Sequence, residues 1–214
     1  MLGGIIPAET SAFHSIKPLE HAQAGRLALG SLVLCIALGL LQPAAAATLQ
    51  PLLIDPARSH VDIAAKATIG SFVAKLGQYV AIIAVDPEKR CIKQLTFQFH
   101  CSAVKTGNAA RDQDILDWEQ ATEFPDVSFV LTALEKGVGG QFQARGALAF
   151  HGHSREIAFP VAIRQDDNHY SIDGEAPLDT RNFGLPIIRI FWLLTVNPVV
   201  HVRFHLQGNL GGRP

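Results

Sequence analysis

Hydrophobic and polar residues alternate one for one along much of the chain. Across residues 141–150, Phe142, Ala144, Gly146, Leu148 and Phe150 fall on one face, and Gln141, Gln143 and Arg145 on the other. Residues 94–101 repeat the pattern. Leu95, Phe97, Phe99 and Cys101 face one way, and Thr96, Gln98 and His100 the other. Near the end, Val200, Val202, Phe204 and Leu206 alternate with His201, Arg203, His205 and Gln207. Successive side chains of a strand point to opposite faces, so a period of two predicts half-buried β-strands. Val61, Ile63 and Ala65 make a further face, as do Ile157, Phe159, Val161 and Ile163, and Tyr170, Ile172 and Gly174. Residues 79–85 and 128–134 are predicted strands with weaker alternation. Phe129 and Leu131 carry the inward face of the second.

Turn chemistry separates these runs at Asp86–Pro87, residues 137–140, residues 151–153, residues 166–168 and Asn197–Pro198. About eight short strands at this spacing predict an all-β sandwich or barrel. One segment departs from the pattern. Residues 108–122 are polar, with Ile115, Leu116 and Trp118 as their apolar set. Asn108 is placed to cap a helix there, and Pro125 forbids its continuation. One short helix is expected across an end or a face of the β-structure.

The first 47 residues are of another kind. Arg26 precedes an uncharged apolar run over residues 27–41. Gln42 and Pro43 break the run, and four alanines follow at residues 44–47. A positive flank, a short apolar run and a small-residue site are the parts of a secretory signal peptide. The run is shorter than the roughly 20 residues a membrane helix needs. The expected organisation is a signal peptide over residues 1–47, cleaved near Ala46 or Ala47, and one domain over residues 48–214. The product would be periplasmic or secreted.

Composition narrows the function. Hydrophobic residues make up 48% of the 214 and charged residues 17%, enough apolar material for a sizeable core. The net charge is −1, and the leader's Lys17, Arg26, Glu9 and Glu20 cancel, so the mature chain keeps that value. With no basic excess to neutralise phosphates, nucleic acid is not an expected partner. Cys91 and Cys101 lie ten residues apart. On one extended strand they are separated by about 33 Å, against the roughly 7 Å a disulfide tolerates. Two unpaired thiols acting as small hydrophobes are expected.

The sequence lacks the G-x-S-x-G elbow, H-E-x-x-H, a phosphate loop and a dinucleotide fingerprint. Among nine histidines, His151 and His153 form H-x-H, and His201 and His205 share a strand face. No carboxylate or thiol accompanies the latter pair in sequence, so structural or surface histidines are expected and neither a metal nor another cofactor. Small residues among the inward aromatics, as in Phe142, Ala144, Gly146 and Leu148, leave interior volume and favour a cavity over a filled core.

Several short strings, in order, resemble the YceI family. They are IDPARSHV (residues 54–61), VDP (85–87), KTGNAARD (105–112), then Phe124, Pro125 and Phe129, LAFHGH (148–153) and LDTRNFGL (178–185). The resemblance runs from about Leu53 to Leu210. It implies a lipocalin-like antiparallel barrel, exported to the periplasm, that holds polyisoprenoid or other long-chain apolar molecules without catalysis. The expected ligand site is the interior of Phe97, Phe99, Phe129, Leu131, Phe142, Leu148, Phe150, Phe159, Ile172 and Phe204. Arg111, Asp112 and Arg181 are head-group candidates. For each of them a local role competes, in capping or anchoring the helix or in fixing the loop before Phe183. Two stretches depart from the family pattern, residues 69–77 and the very apolar residues 186–194. The apolar segment 187–196 reads equally as a core strand or as an exposed loop that guards the barrel mouth and touches a membrane. A homodimer stays open. The competing functions are a small enzyme acting on an apolar substrate and an interaction module of a membrane-associated redox or stress-response system.

Overall fold

The computed structural model describes residues 48–190 and 194–211. The expected signal peptide, residues 1–47, lies outside the described residues, as do Phe191 and Trp192. The alternating runs form strands. In chain order these are β1 (Gln50–Ile54), β2 (His60–Lys66), β3 (Ser71–Leu76), β4 (Val80–Asp86), β5 (Cys91–His100), β6 (Val104–Lys105), β7 (Asp126–Lys136), β8 (Phe142–Phe150), β9 (His153–Asp166), β10 (His169–Asp179), β11 (Arg189–Ile190), β12 (Leu194–Thr195) and β13 (Val199–Leu210). The helix α1 (Ala109–Trp118) stands between β6 and β7.

Every strand pairing is antiparallel, and β7, β8, β9 and β10 neighbour one another in order. β10 pairs along its whole length with β13. On its other side β13 meets β1 at residues 208–210 and β2 at residues 201–205. β1 pairs with β4 and β2 with β3, while β4 and β3 pair onward with β5 and β6. β1 and β2 therefore share one strand position, as do β3 and β4, and β5 and β6. The result is an eight-stranded closed antiparallel barrel, its ring completed where β1 pairs with β13, with β6 paired to β3 alone.

Local chemistry explains the breaks. Pro56 lacks the N–H a ladder needs, and the Asp55 side chain accepts from Ala57 N at 2.9 Å, which turns the chain between β1 and β2. Asp86 ends β4 by accepting from Glu88 N and Lys89 N, each at 3.1 Å. With the hairpins at residues 137–140 and 167–168, that turn forms one end of the barrel, here called lower. The opposite, upper end carries the hairpin 67–70, the connection holding α1, the turn at His151 and Gly152, and the long connection 180–198.

α1 begins as expected, with Asn108 Oδ1 accepting from Arg111 N at 3.0 Å. It stops four residues before the expected Thr122. Gln120 adopts a left-handed backbone (φ 48°). Ala121 N then donates to Leu116 O at 2.9 Å and Gln120 N to Asp117 O at 3.2 Å. This is a Schellman stop built without the usual glycine, so no glycine marked it in the sequence.

The predicted faces point inward. On β8, Ala144 and Leu148 are buried and Arg145 is exposed. Ile172 and Leu206 are buried on β10 and β13. Cys91 opens β5 and Cys101 follows directly on its last residue; both are free thiols, as the extended spacing requires.

Candidate ligand-binding site

Inward side chains of all eight strand positions surround a cavity of about 230 Å³. For scale, an apolar cavity of roughly 150 Å³ admits benzene. Nine of the ten expected interior residues line it: Phe97, Phe99, Phe129, Leu131, Leu148, Phe150, Phe159, Ile172 and Phe204. Phe142 does not. It pairs with Lys136 and Val161 at the lower end of β8 and packs against the core.

The reason for the interior volume differs from the sequence argument. Gly146 and Gly174 do not leave open space. A Cβ on Gly146 would collide with the Phe129 ring, and one on Gly174 with the Phe204 ring. The glycines seat neighbouring rings against the wall. Phe159 joins the two, its centroid 5.5 Å from Phe129 and 5.9 Å, edge-on, from Phe204. Aromatic pairs at these separations favour tilted arrangements. The rings form one packed band, and the cavity lies inside it.

None of the three head-group candidates lines the cavity. The Arg111 guanidinium lies 4.9 Å above the ring of Phe72, outside a residue that does line it. Asp112 accepts from Thr106 N at 2.8 Å and Thr106 Oγ1 at 2.6 Å, and these bonds hold its carboxyl below the usual range. Arg181 forms a two-pronged pair with Asp179, Nη2 to Oδ2 at 2.6 Å and Nε to Oδ1 at 2.9 Å. Each serves the local structure of its own connection.

The polar side chains that reach the lining come from the upper end. They are Glu119, Thr180 and Asn197. Thr180 Oγ1 donates to Pro198 O at 3.1 Å, and Asn197 Oδ1 accepts from Val199 N at 2.8 Å. Glu119, the residue that caps α1, has a buried Oε2 without a partner. Burial pushes its carboxyl up to about 7. The neighbouring Cys101 thiol, buried and facing Glu119, is pushed up to about 12. Sequence reasoning missed Glu119, because at a helix end no period shows which way a side chain turns.

The described part of segment 187–196 is not a barrel strand. Residues 189–190 and 194–195 pair as the short hairpin of β11 and β12 at the upper end. Pro186, Ile187 and Ile188 line the cavity there. Trp118 Nε1 donates to Pro186 O at 2.8 Å, tying α1 to this connection. Thr68 N donates to Thr195 O at 2.9 Å, tying in the hairpin 67–70, whose tip holds Ile69 at 74% exposure.

The histidines among the described residues fall outside the cavity. Contrary to the sequence reading, carboxylates do accompany His201 and His205, because the register of β10 and β13 sets acidic residues across from them. His201 Nδ1 lies 2.7 Å from Glu175 Oε1, and His205 Nδ1 lies 2.5 Å from Asp173 Oδ1. Arg203 and Arg164 share these carboxylates, so the face is a ladder of ion pairs. Among the described residues no three His, Cys, Asp or Glu are grouped to hold a metal ion. His151 is structural, with Nδ1 2.9 Å from Phe183 O and its ring 4.6 Å from that of Phe124.

A family model described as YceI-like domain matches residues 53–208. No curated protein matches the chain. Among solved structures, BcnA of Burkholderia cenocepacia is 21% identical with a TM-score of 0.65, over 73% of this chain and 99% of that one. The YceI protein of Campylobacter jejuni is 19% identical with a TM-score of 0.56, over 65% and 85%. A polyisoprenoid binding domain from Saccharophagus degradans, implicated in plant cell wall breakdown, is 12% identical with a TM-score of 0.55, over 76% and 99%. At these identities the likeness is one of fold.

Proposed function

Because the chain belongs to the YceI-like domain family, we propose that it is an exported binding protein that sequesters or carries a long-chain apolar molecule inside its barrel. The observation that carries this reading is the cavity, walled by aromatic and aliphatic side chains with polar ones only at the upper end. Burial supplies the affinity. Each methylene removed from water contributes about 0.8 kcal/mol, so a long chain binds with few polar contacts. The solved Saccharophagus degradans domain, described as polyisoprenoid binding, is in keeping with an isoprenoid chain. Binding here proceeds without catalysis. The Cys101 thiol beside the cavity is driven toward its protonated form, the opposite of what a nucleophile needs.

Solvent extraction of the purified protein, followed by mass spectrometry, tests the reading. A long-chain apolar molecule is expected in the extract. A protein that yields none, and takes up none when offered, overturns it. Phe204→Glu should abolish loading beyond any loss of folded protein.

The leader at residues 1–47 directs export in this reading. Amino-terminal sequencing of protein recovered from the periplasm or medium should begin near Thr48. The upper rim, with Ile69 and segment 187–196, makes transient contact with a membrane during exchange. An exposed apolar tip beside a cavity mouth suits that role. Ile69→Lys should weaken co-sedimentation with phosphatidylcholine vesicles, and unchanged sedimentation would remove this part of the reading.

A further inference from the structure

Glu119 is the group that burial of an apolar chain leaves unexplained. The Schellman stop at Gln120 ends α1 over the barrel and fixes where the Glu119 backbone sits. Glu119 lines the cavity, its Oε2 is buried with no hydrogen-bond partner, and the donor that faces its carboxyl is the Cys101 thiol, a weak one. A buried polar atom without a partner is costly, and such atoms are rare unless something else supplies the partner. Thr180 and Asn197, the other polar side chains at the lining, already serve the Pro198 carbonyl and the Val199 amide. No Lys, Arg or His lines the cavity among the described residues.

We propose that Glu119 is the head-group anchor of the cavity, and that the barrel selects apolar chains ending in an uncharged hydrogen-bond donor, an alcohol, over the same chains ending in a carboxylate or diphosphate. This rests on the carrier reading above. The chemistry follows from the lining. A hydroxyl donates to this Glu119 oxygen and brings no charge of its own into the cavity. An anionic head would meet a second acid in an apolar surround with no cation to neutralise it. With its ordinary acidity suppressed by burial, the carboxyl offers an acceptor oxygen in either protonation state. A headless hydrocarbon fills the same volume but leaves that oxygen bare, and sites built around a hydroxyl discriminate strongly against analogues that lack one. Because the polar lining groups are all at the upper end, the tail lies toward the lower end and the head beneath α1.

The test uses the delipidated full chain and displacement of a fluorescent apolar probe. Geranylgeraniol, geranylgeranoic acid, geranylgeranyl diphosphate and the parent hydrocarbon are compared on the wild type, Glu119→Gln and Glu119→Leu. The wild type should bind the alcohol about tenfold or more tightly than the other three. Glu119→Leu should bind alcohol and hydrocarbon alike. Glu119→Gln, which keeps an acceptor and loses the acid, should retain the alcohol and gain affinity for the carboxylate-headed chain. It decides the matter should the leucine variant misfold. Equal binding of all heads by the wild type, or an alcohol preference that survives in Glu119→Leu, overturns the proposal alone. Failure of every chain, the headless one included, overturns the carrier reading and this proposal with it.

Discussion

Gly174 and Phe204 are direct cross-strand partners on β10 and β13, and the phenyl ring occupies the place where a side chain on Gly174 would stand. A Cβ there would meet Cε1 of the ring at 2.9 Å, closer than real Cβ contacts come. Gly174→Ala should therefore push Phe204 off the wall and into the cavity. Overpacking of this kind costs about 1–3 kcal/mol. Chemical denaturation should show that loss, and probe uptake should fall beyond it.

Glu119 makes the protein less stable as pH rises. Its carboxyl sits near 7 in the folded state against an ordinary 4.5. A folded value raised above the unfolded one contributes stability that is complete below about 4.5 and lost as pH rises through 7. The shift corresponds to at most about 3 kcal/mol. Glu119→Gln should remove this fall, so the stability difference between variant and wild type should move in favour of the variant from pH 4.5 to 8. Comparison with the variant isolates Glu119 from Asp112, Asp173, Glu175 and Asp179. Their carboxyls are all held low, and their stabilisation is lost on the acid side instead.

Cys101 should resist alkylation in the folded protein. It is buried, and its thiol is pushed up to about 12. At pH 8 the thiolate is then about one part in ten thousand. Peptide mapping after iodoacetamide treatment should find Cys101 unmodified in buffer and modified in denaturant. In Glu119→Gln, the loss of the facing charge should lower the thiol and speed its slow reaction.

Trp118→Phe keeps an aromatic ring but deletes the hydrogen bond to the Pro186 carbonyl. The expected loss is about 1 kcal/mol of stability. Because this bond joins α1 to the connection over the cavity, exchange of a bound apolar probe should quicken by more than affinity falls. Stopped-flow displacement measures both.

The inward faces were legible because a period of two leaves few choices. Phe97 with Phe99, and Leu148 with Phe150, could only share a face, and closure into a barrel put those faces around one interior. What depended on pairing between distant strands was not legible. Acidic residues stand across from His201 and His205 only because β10 and β13 pair in one register, which no local pattern fixes. The glycines were read as vacant volume for the same reason. Whether Gly146 leaves a hole depends on Phe129 of the neighbouring strand, whose ring lies where a Cβ would stand. Arg111, Asp112 and Arg181 carried the polar chemistry expected of a head-group site, but their partners Phe72, Thr106 and Asp179 keep them in the loops. Glu119 lay beyond both alternation and motif, since its direction is set by a helix stop without a glycine.

The seam of the barrel also governs how the chain must be made. Leu52 pairs with Leu210, and Ile54 with Gly208, so the first strand completes its pairing only with the last. Such a pairing carries the full entropy of closing the longest loop the domain contains and forms slowly compared with local hairpins. Until β13 emerges, β1 and β10 are bare edges able to recruit strands from other chains. A nascent chain of this kind needs protection during synthesis in proportion to the time the twelve residues of β13 take to arrive.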